Sequence, residues 1–399
     1  MSLNENDSIA VENFRKYLKY PTVHPNINYH ECVAFLINLG QHAGLAVQVY
    51  SPKKNKPIVI MTLAGSNPDL PTLLLNSHMD VVSVHRKYWK HEPFGAEMDE
   101  DGNIYGRGAQ DMKCVGIQYV EALRRCIQNG QHFKRTVYVS FVPDEETGGK
   151  EGMGTFVNTD EFKAMNVGCV LDESMPSPGD EFILCYAERV NWLLEIVCTG
   201  VTGHASLLPN DLAADKFRYV INKFLDFKEG EKRKLQENSN LTIGDVTTVN
   251  MVSLEGGVQL NVIPSKLSAI FALRVAIDVN LTQLRNTIEE WCHEAGDGVT
   301  CNELTFETDQ IATKLDDSNM WWLAFKEASS KMGLKLKTVV FAGRTDSKFL
   351  RRIGIPAIGF SPMNHTPILM HDHDEYLNEK IFLRGIEIYK NIITNLANI

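Results

Sequence analysis

The chain has 399 residues, 44% hydrophobic and 23% charged, with a formal net charge of −10. That length exceeds what one core usually serves and predicts two domains; the balance excludes a disordered, collagen-like or disulfide-scaffold protein. The acidic total and the lack of a dense Lys/Arg stripe argue against a nucleic-acid partner. No apolar run approaches the ~20 residues of a membrane-spanning helix, so no membrane partner is expected.

The start, Met1-Ser2-Leu3-Asn4-Glu5-Asn6-Asp7, has neither the basic region nor the apolar core of a signal peptide. Eight cysteines are scattered with no close CxxC pair, which points to reduced thiols in a cytoplasmic protein.

Apolar residues three and four apart predict helices over 11–20 and 30–44. Strands are expected at 46–50 and 57–63. Thr72-Leu73-Leu74-Leu75-Asn76-Ser77-His78 is a continuous apolar run with a polar end, the pattern of a strand buried on both faces. A helix over 110–130 closes on Gly130, and buried strands fall at 135–142 and 167–171. Near residue 188 the character changes to strand 192–198, helix 212–227, strands 246–254 and 266–275, helix 281–295 and strand 299–306. That βαββαβ order is a split βαβ sandwich. Beyond about residue 310 the first style returns, with helix 319–332, strands 337–341 and 357–360, and a closing helix 381–399. The expected fold class is α/β: a mixed sheet with helices on both faces, built from 1–187 and 310–399 and interrupted by an α+β insert at 188–309.

Polar clusters stand at or beyond the ends of the buried strands, where open α/β sheets bind ligands. In His78-Met79-Asp80, i and i+2 point to the same side, so a carboxylate could hold the second nitrogen of a ligating imidazole. Gly106-Arg107-Gly108-Ala109-Gln110-Asp111 is a glycine-rich turn that puts Asp111 near a helix N-terminus. In Pro143-Asp144-Glu145-Glu146, three successive carboxylates repel unless a cation or protons intervene. One of them could ligate a metal while its neighbour serves as general base toward a metal-activated water. Asp172-Glu173 and His371-Asp372-His373-Asp374-Glu375 complete the set; histidine with carboxylate suits zinc or manganese, and one ligating histidine in that run suffices.

The joint order HxD, D, EE, DE, HDHDE, with LLLNSHMDVV, GRGAQDMKCV, FVPDEETGG, TGHAS and LEGGVQLNVIP, resembles the co-catalytic zinc amidohydrolase and peptidase superfamily that includes carboxypeptidase G2 and the aminoacylases. The resemblance spans nearly the whole chain. It implies a discontinuous di-zinc catalytic domain and an inserted dimerisation and lid domain. It further implies two Zn2+ per subunit, bridged by Asp111. His78 and Glu173 would complete one ion and Glu146 and His371 the other, with Asp80 orienting the His78 imidazole and Glu145 as general base. A cis peptide at Asp111-Met112 belongs to the same pattern.

The reaction implied is hydrolysis of an N-acyl-L-amino acid to a carboxylate, acetate in the first instance, and a free amino acid, by a metal-bound hydroxide. A di- or tripeptidase or desuccinylase shares the same ligands. A catalytically inactive dimeric binding protein would be marked by loss of a ligand or of the base, and every one of these residues is present. In the insert, His204 resembles the residue that stabilises the oxyanion in the other subunit of a homodimer. Asn261 and Arg274 resemble residues that recognise the small-molecule substrate. The GGTDAR-like segment of many relatives reads Gly343-Arg344-Thr345-Asp346-Ser347-Lys348 here. This leaves Arg274, Arg344, Lys348 and Arg351 as candidates to hold the substrate carboxylate, since lysine is a point charge rather than a planar fork.

Overall fold

Three consecutive leucines, Leu73, Leu74 and Leu75, are all fully buried, and successive strand side chains point to opposite faces. Leu73 and Leu75 join one hydrophobic core and Leu74 joins another. A strand buried on both sides needs helices on both sides, and the computed structural model supplies them. It describes residues 4–399, so Met1, Ser2 and Leu3, the start of the stretch read above, lie outside the described residues. The chain forms two compact units. One comprises the chain up to Tyr186 with Ala312–Thr338 and Arg344–Ile399; the other is Ala187–Ile311 with Val339–Gly343.

The large sheet is mixed and eight-stranded. Its order is Ala46–Lys53, Lys56–Leu63, Val137–Val142, Thr72–His78, Val167–Asp172, Ala357–Phe360, Phe182–Glu188, Leu336–Phe341. On one face, Val59, Met61, Leu73, Leu75, Val139 and Phe141 pack with the helices Glu5–Leu18, His30–His42, Lys113–Gln128, Met320–Lys331 and Glu379–Leu396. On the other, Ile58, Ile60, Leu74, Val142 and Val170 meet Met153, Phe156, Phe349 and Leu350. The central strands Val137–Val142, Thr72–His78 and Val167–Asp172 are parallel, with His78 opposite Val142. Their carboxyl ends therefore lie along one edge, and each carries one of the polar clusters.

Two of the departures from the sequence pattern have a visible cause. The helix expected from residue 110 begins at Lys113. The Gln110 and Asp111 amides, which would enter that helix, donate instead to the buried Glu375 carboxylate (2.6 and 3.3 Å), and the Asp111-Met112 peptide is cis. The strand Phe182–Glu188 was not foreseen, because only Arg189 separates it from the strand Val190–Thr199 and no turn residue marks its end.

The second unit holds a four-stranded antiparallel sheet, ordered Thr248–Gly256, Lys266–Val275, Val190–Thr199, Val299–Phe306. With the helices Ala213–Glu237 and Leu281–Glu294, it follows the βαββαβ order. Phe224 stacks on Phe271 (4.1 Å between centroids) and Trp192 on Phe306 (4.3 Å), fixing helix to sheet and the sheet edge. A small ribbon, Gly203–His204 with Val262–Ile263, was too short to show as a pattern. No described helix is long and apolar enough to cross a membrane.

Candidate metal centre

At the edge defined by the parallel strands, one carboxylate lies between two imidazoles. Asp111 Oδ1 is 3.1 Å from His78 Nε2, and Asp111 Oδ2 is 3.0 Å from His371 Nε2. His78 Nε2 also lies 3.6 Å from Glu173 Oε2, and His371 Nε2 lies 3.1 Å from Glu146 Oε2. Glu145 converges with His78 and Glu173, their donor atoms all within 4.8 Å of one another.

Backbone amides and short turns set these positions. Asp144 takes a left-handed conformation (φ 65°) and starts the 3-10 turn Glu145–Thr147. Gly148 and Gly149 then turn the chain back at φ 98° and 68°, and a side chain on Gly149 would strike Asp346 Oδ1 at 2.4 Å. The buried Asp80 carboxylate accepts the Glu145 amide at Oδ1 and the Glu146 amide at Oδ2, both at 3.1 Å. The expectation that this carboxylate orients His78 is corrected: His78 Nδ1 bonds the Asp80 backbone carbonyl at 2.8 Å, whereas the nearest carboxylate oxygen is 3.7 Å away. The imidazole is still oriented by Asp80, through its main chain. Glu375 holds the Asp111 loop by accepting from Arg107, Gly108, Gln110 and Asp111. Asp172, next to Glu173, accepts from Ser347 and Asn76.

Charge is concentrated here. Burial, then the nearby Asp111 or Glu173 carboxylates, pushes Glu145, Glu146 and Glu173 above the usual carboxylate range. Burial acts the same way on Asp111, but hydrogen bonds from His371 and His78 outweigh it and hold its carboxyl well below that range. Hydrogen bonds to Asp111 and Glu146 push His371 up to about 10. Burial opposes charge on His78, yet Glu173 and Asp111 keep it above its ordinary value. Asp346, buried against Asp172, is raised to about 8.

The remaining sequence candidates separate. His373 is not part of the cluster; its ring lies tilted against Tyr88, 5.1 Å between centroids. Arg351 is buried and gives its guanidinium to Ala357 O (3.2 and 2.9 Å) and Thr313 Oγ1 (3.3 Å), bonds that tie it to the fold. In the second unit, His204 is exposed and pairs with Val262, while Ala205 N donates to Asn261 O at 3.0 Å, so His204 and Asn261 share one ribbon. Arg274 stands on Lys266–Val275, opposite Thr248 and Asn191. Sequence reasoning passed over His24, Lys56 and Asn76, which hold Asp80, Asp144 and Asp172. Only their places in the fold reveal them.

The donor set fits divalent cations. Four carboxylates (Asp111, Glu145, Glu146, Glu173) face two imidazoles, and Glu146 Oε1 is buried with no hydrogen-bond partner among the described residues. Oxygen and imidazole nitrogen together suit zinc or manganese. A mixed α/β sheet with such a centre at its parallel strand ends, interrupted by a smaller α+β unit, is the plan of a metal-dependent hydrolase. Residues 74–395 match the model of peptidase family M20/M25/M40, and the chain belongs to that family. Aminoacylase-1 of Mus musculus is 46% identical over 395 residues, covering 99% of this chain and 97% of its own. Among solved structures, aminopeptidase PepT from Bacillus cereus superposes with TM-score 0.75 at 18% identity, covering 98% of this chain and 99% of its own. A Bacillus subtilis protein described as a dinuclear metal binding peptidase from the M20 family gives 0.69 at 14%, covering 98% and 97%.

These protonation preferences set how stability follows pH when metal is stripped. Raised Glu145, Glu146 and Glu173 cost stability as pH climbs above their unfolded values near ~4.3. The raised imidazoles stabilise fully below ~6.5, and that contribution is lost as pH rises through their folded values, about 10 for His371. Depressed Asp111 runs the other way, but its stabilisation is already complete above ~4. Metal ligands must be deprotonated, so cation binding strengthens over the same range. The gap in melting temperature between zinc-loaded and chelator-stripped protein should therefore widen from about pH 5.5 to about pH 8. A gap that narrows over that range contradicts the ligand set.

Proposed function

We propose that this protein is a metal-dependent amidohydrolase that cleaves N-acyl-L-amino acids to a carboxylate and the free L-amino acid. One observation carries the reading: a chain aligned over 99% of its length with aminoacylase-1 of Mus musculus also places Glu145 beside the Asp111-centred cluster. His78, Asp111 and Glu173 would hold one cation and His371, Asp111 and Glu146 a second, zinc by the donor set. When bound, such ions lower the pKa of a water and polarise a carbonyl oxygen. Glu145 takes the proton from the attacking water and returns it to the departing amine nitrogen. Burial raises its carboxyl above the usual carboxylate range, the direction that favours holding a proton between the two transfers. The Asp80 carboxylate keeps the Glu145 amide, and so the base, in place.

In the second unit, His204 supplies a donor to the oxyanion, Asn261 contacts the substrate carbonyl, and Arg274 binds the substrate carboxylate, with Arg344 and Lys348 of the first unit as the other candidate cations. The active form is a homodimer, with His204 reaching the site of the partner subunit. Supporting this, Thr248–Gly256 is an edge strand whose Met251, Val252 and Leu254 are exposed, and Leu207, Leu208, Val258 and Leu260 are exposed as well. An apolar edge of that kind invites pairing with a second copy. A reducing, cytoplasmic compartment fits the eight cysteines, all of which are free thiols.

Against a panel of N-acetyl-methionine, N-acetyl-aspartate, N-succinyl-diaminopimelate and simple dipeptides, N-acetyl-amino acids should be turned over fastest. Preferential cleavage of dipeptides would favour a peptidase instead. Glu145→Gln should lower kcat by about 10²–10⁴-fold while metal content is unchanged; near-normal turnover would remove its role as base. Mixing His204→Ala with Asp111→Ala subunits, each inactive alone, should restore part of the activity if sites are shared. A confirmed heterodimer with no activity would contradict the shared site.

A further inference from the structure

Asp80 organises the centre from behind. Its carbonyl orients His78, and its two carboxylate oxygens hold the amides of Glu145 and Glu146. A carboxylate that is itself fully buried needs a partner of its own, because removing one member of a buried pair leaves a charge without compensation. Lys56 and Tyr29 do not serve Asp80; they attend Asp144, with the Tyr29 hydroxyl donating to it at 3.2 Å. The His78 ring is already committed to the Asp80 carbonyl. The remaining partner is His24, whose Nε2 lies 2.9 Å from Asp80 Oδ2 and 3.9 Å from Asp144 Oδ1.

The approach of His24 is built into the backbone. Thr22 Oγ1 donates to Met79 O at 2.5 Å, Val81 N donates to Thr22 O at 2.8 Å, and Val23 pairs with Val81 as a β-bridge. These contacts zip the segment after the first helix onto the residues that follow His78 and leave His24 facing Asp80. Its side chain is 19% exposed, so most of the contact is shielded from water.

We propose that His24 is a positioning residue for the hydrolytic site, anchoring the Asp80 carboxylate so that it fixes the turn carrying Glu145 and Glu146. This rests on reading Glu145 as base and Glu146 as metal ligand. Without His24, Asp80 is left with two amides and no side-chain partner. Its carboxylate is then free to rotate toward water, which releases at least one amide of the turn. Loosening Glu145 lowers kcat; loosening Glu146 weakens the cation it shares with His371. Contacts that bind substrate are untouched, so KM changes little.

The test uses the full-length protein with two readouts: steady-state kinetics on an N-acetyl-amino acid, and zinc affinity by competition with a chromogenic chelator in the absence of substrate. His24→Ala should lower kcat about tenfold or more, leave KM within about threefold, and weaken one of the two zinc ions by about tenfold, the usual scale for residues behind a ligand. His24→Leu, which retains apolar volume, should do the same and serves if the alanine variant does not fold. His24→Gln keeps an N–H donor and should return both quantities to within about threefold of the parent. In an Asp80→Asn background, His24→Ala should add less than about twofold, because residues acting through one another are not additive. Alanine and leucine variants with normal kcat and zinc affinity would overturn the proposal, as would full independent losses in the double variant. If the parent protein turns over no N-acyl-amino acid, the proposed reaction fails, while the zinc readout still decides the role of His24.

Discussion

Everything at the site turns on a single carboxylate shared by two imidazoles. Asp111 presents one oxygen to His78 and the other to His371, and Glu173 and Glu146 flank those histidines. Four acids packed at the ends of buried strands repel one another, and three of them, Glu145, Glu146 and Glu173, are driven toward protonation while the two histidines hold Asp111 ionised. Two imidazolium ions would compensate only half of that charge. Such a cluster makes physical sense as a cradle for cations, and the fold brings its members from five separate stretches of chain to one edge of one sheet.

Around those members lies a second set of buried acids, each held by hydrogen-bonding or charged groups of the protein itself. Glu375 is paired with Arg107 and three amides and fixes the Asp111 loop. Asp172 is held by Ser347 and Asn76 and sits beside Glu173. Asp80 is held by His24 and grips the Glu145–Glu146 turn. The cluster is thus an inner ring of histidines and acids with an outer ring of carboxylates that work as acceptors for backbone N–H groups. Since an amide can be placed only as well as its acceptor, the outer ring decides the precision of the inner one.

Much of this was legible in the sequence, for a definite reason. Parallel strands buried on both faces read as apolar runs, and the polar residues that end them, His78, Glu145–Glu146 and Glu173, are therefore conspicuous. The βαββαβ insert was readable because its strands and helices are long. What escaped reading is whatever depends on partners far away in the chain. The spacing of His78 and Asp80 indicates that they share a side, not that the carbonyl rather than the carboxylate makes the bond. The late start of the helix at Lys113 depends on Glu375, more than 260 positions away, capturing the amides of Gln110 and Asp111. His24 lies 56 positions from Asp80 in an irregular loop, where nothing local marks it. The pairing of His204 with Val262 occupies a ribbon two residues long.

In the proposed centre Asp111 would bridge two cations, and metal stoichiometry tests that most directly. Chelator-stripped protein, titrated with zinc and measured by elemental analysis after removal of free ion, should saturate at two ions per chain, and Asp111→Asn should weaken both. Saturation at one ion per chain, or an Asp111→Asn protein that still holds two with the parent's affinity, would contradict the bridged centre.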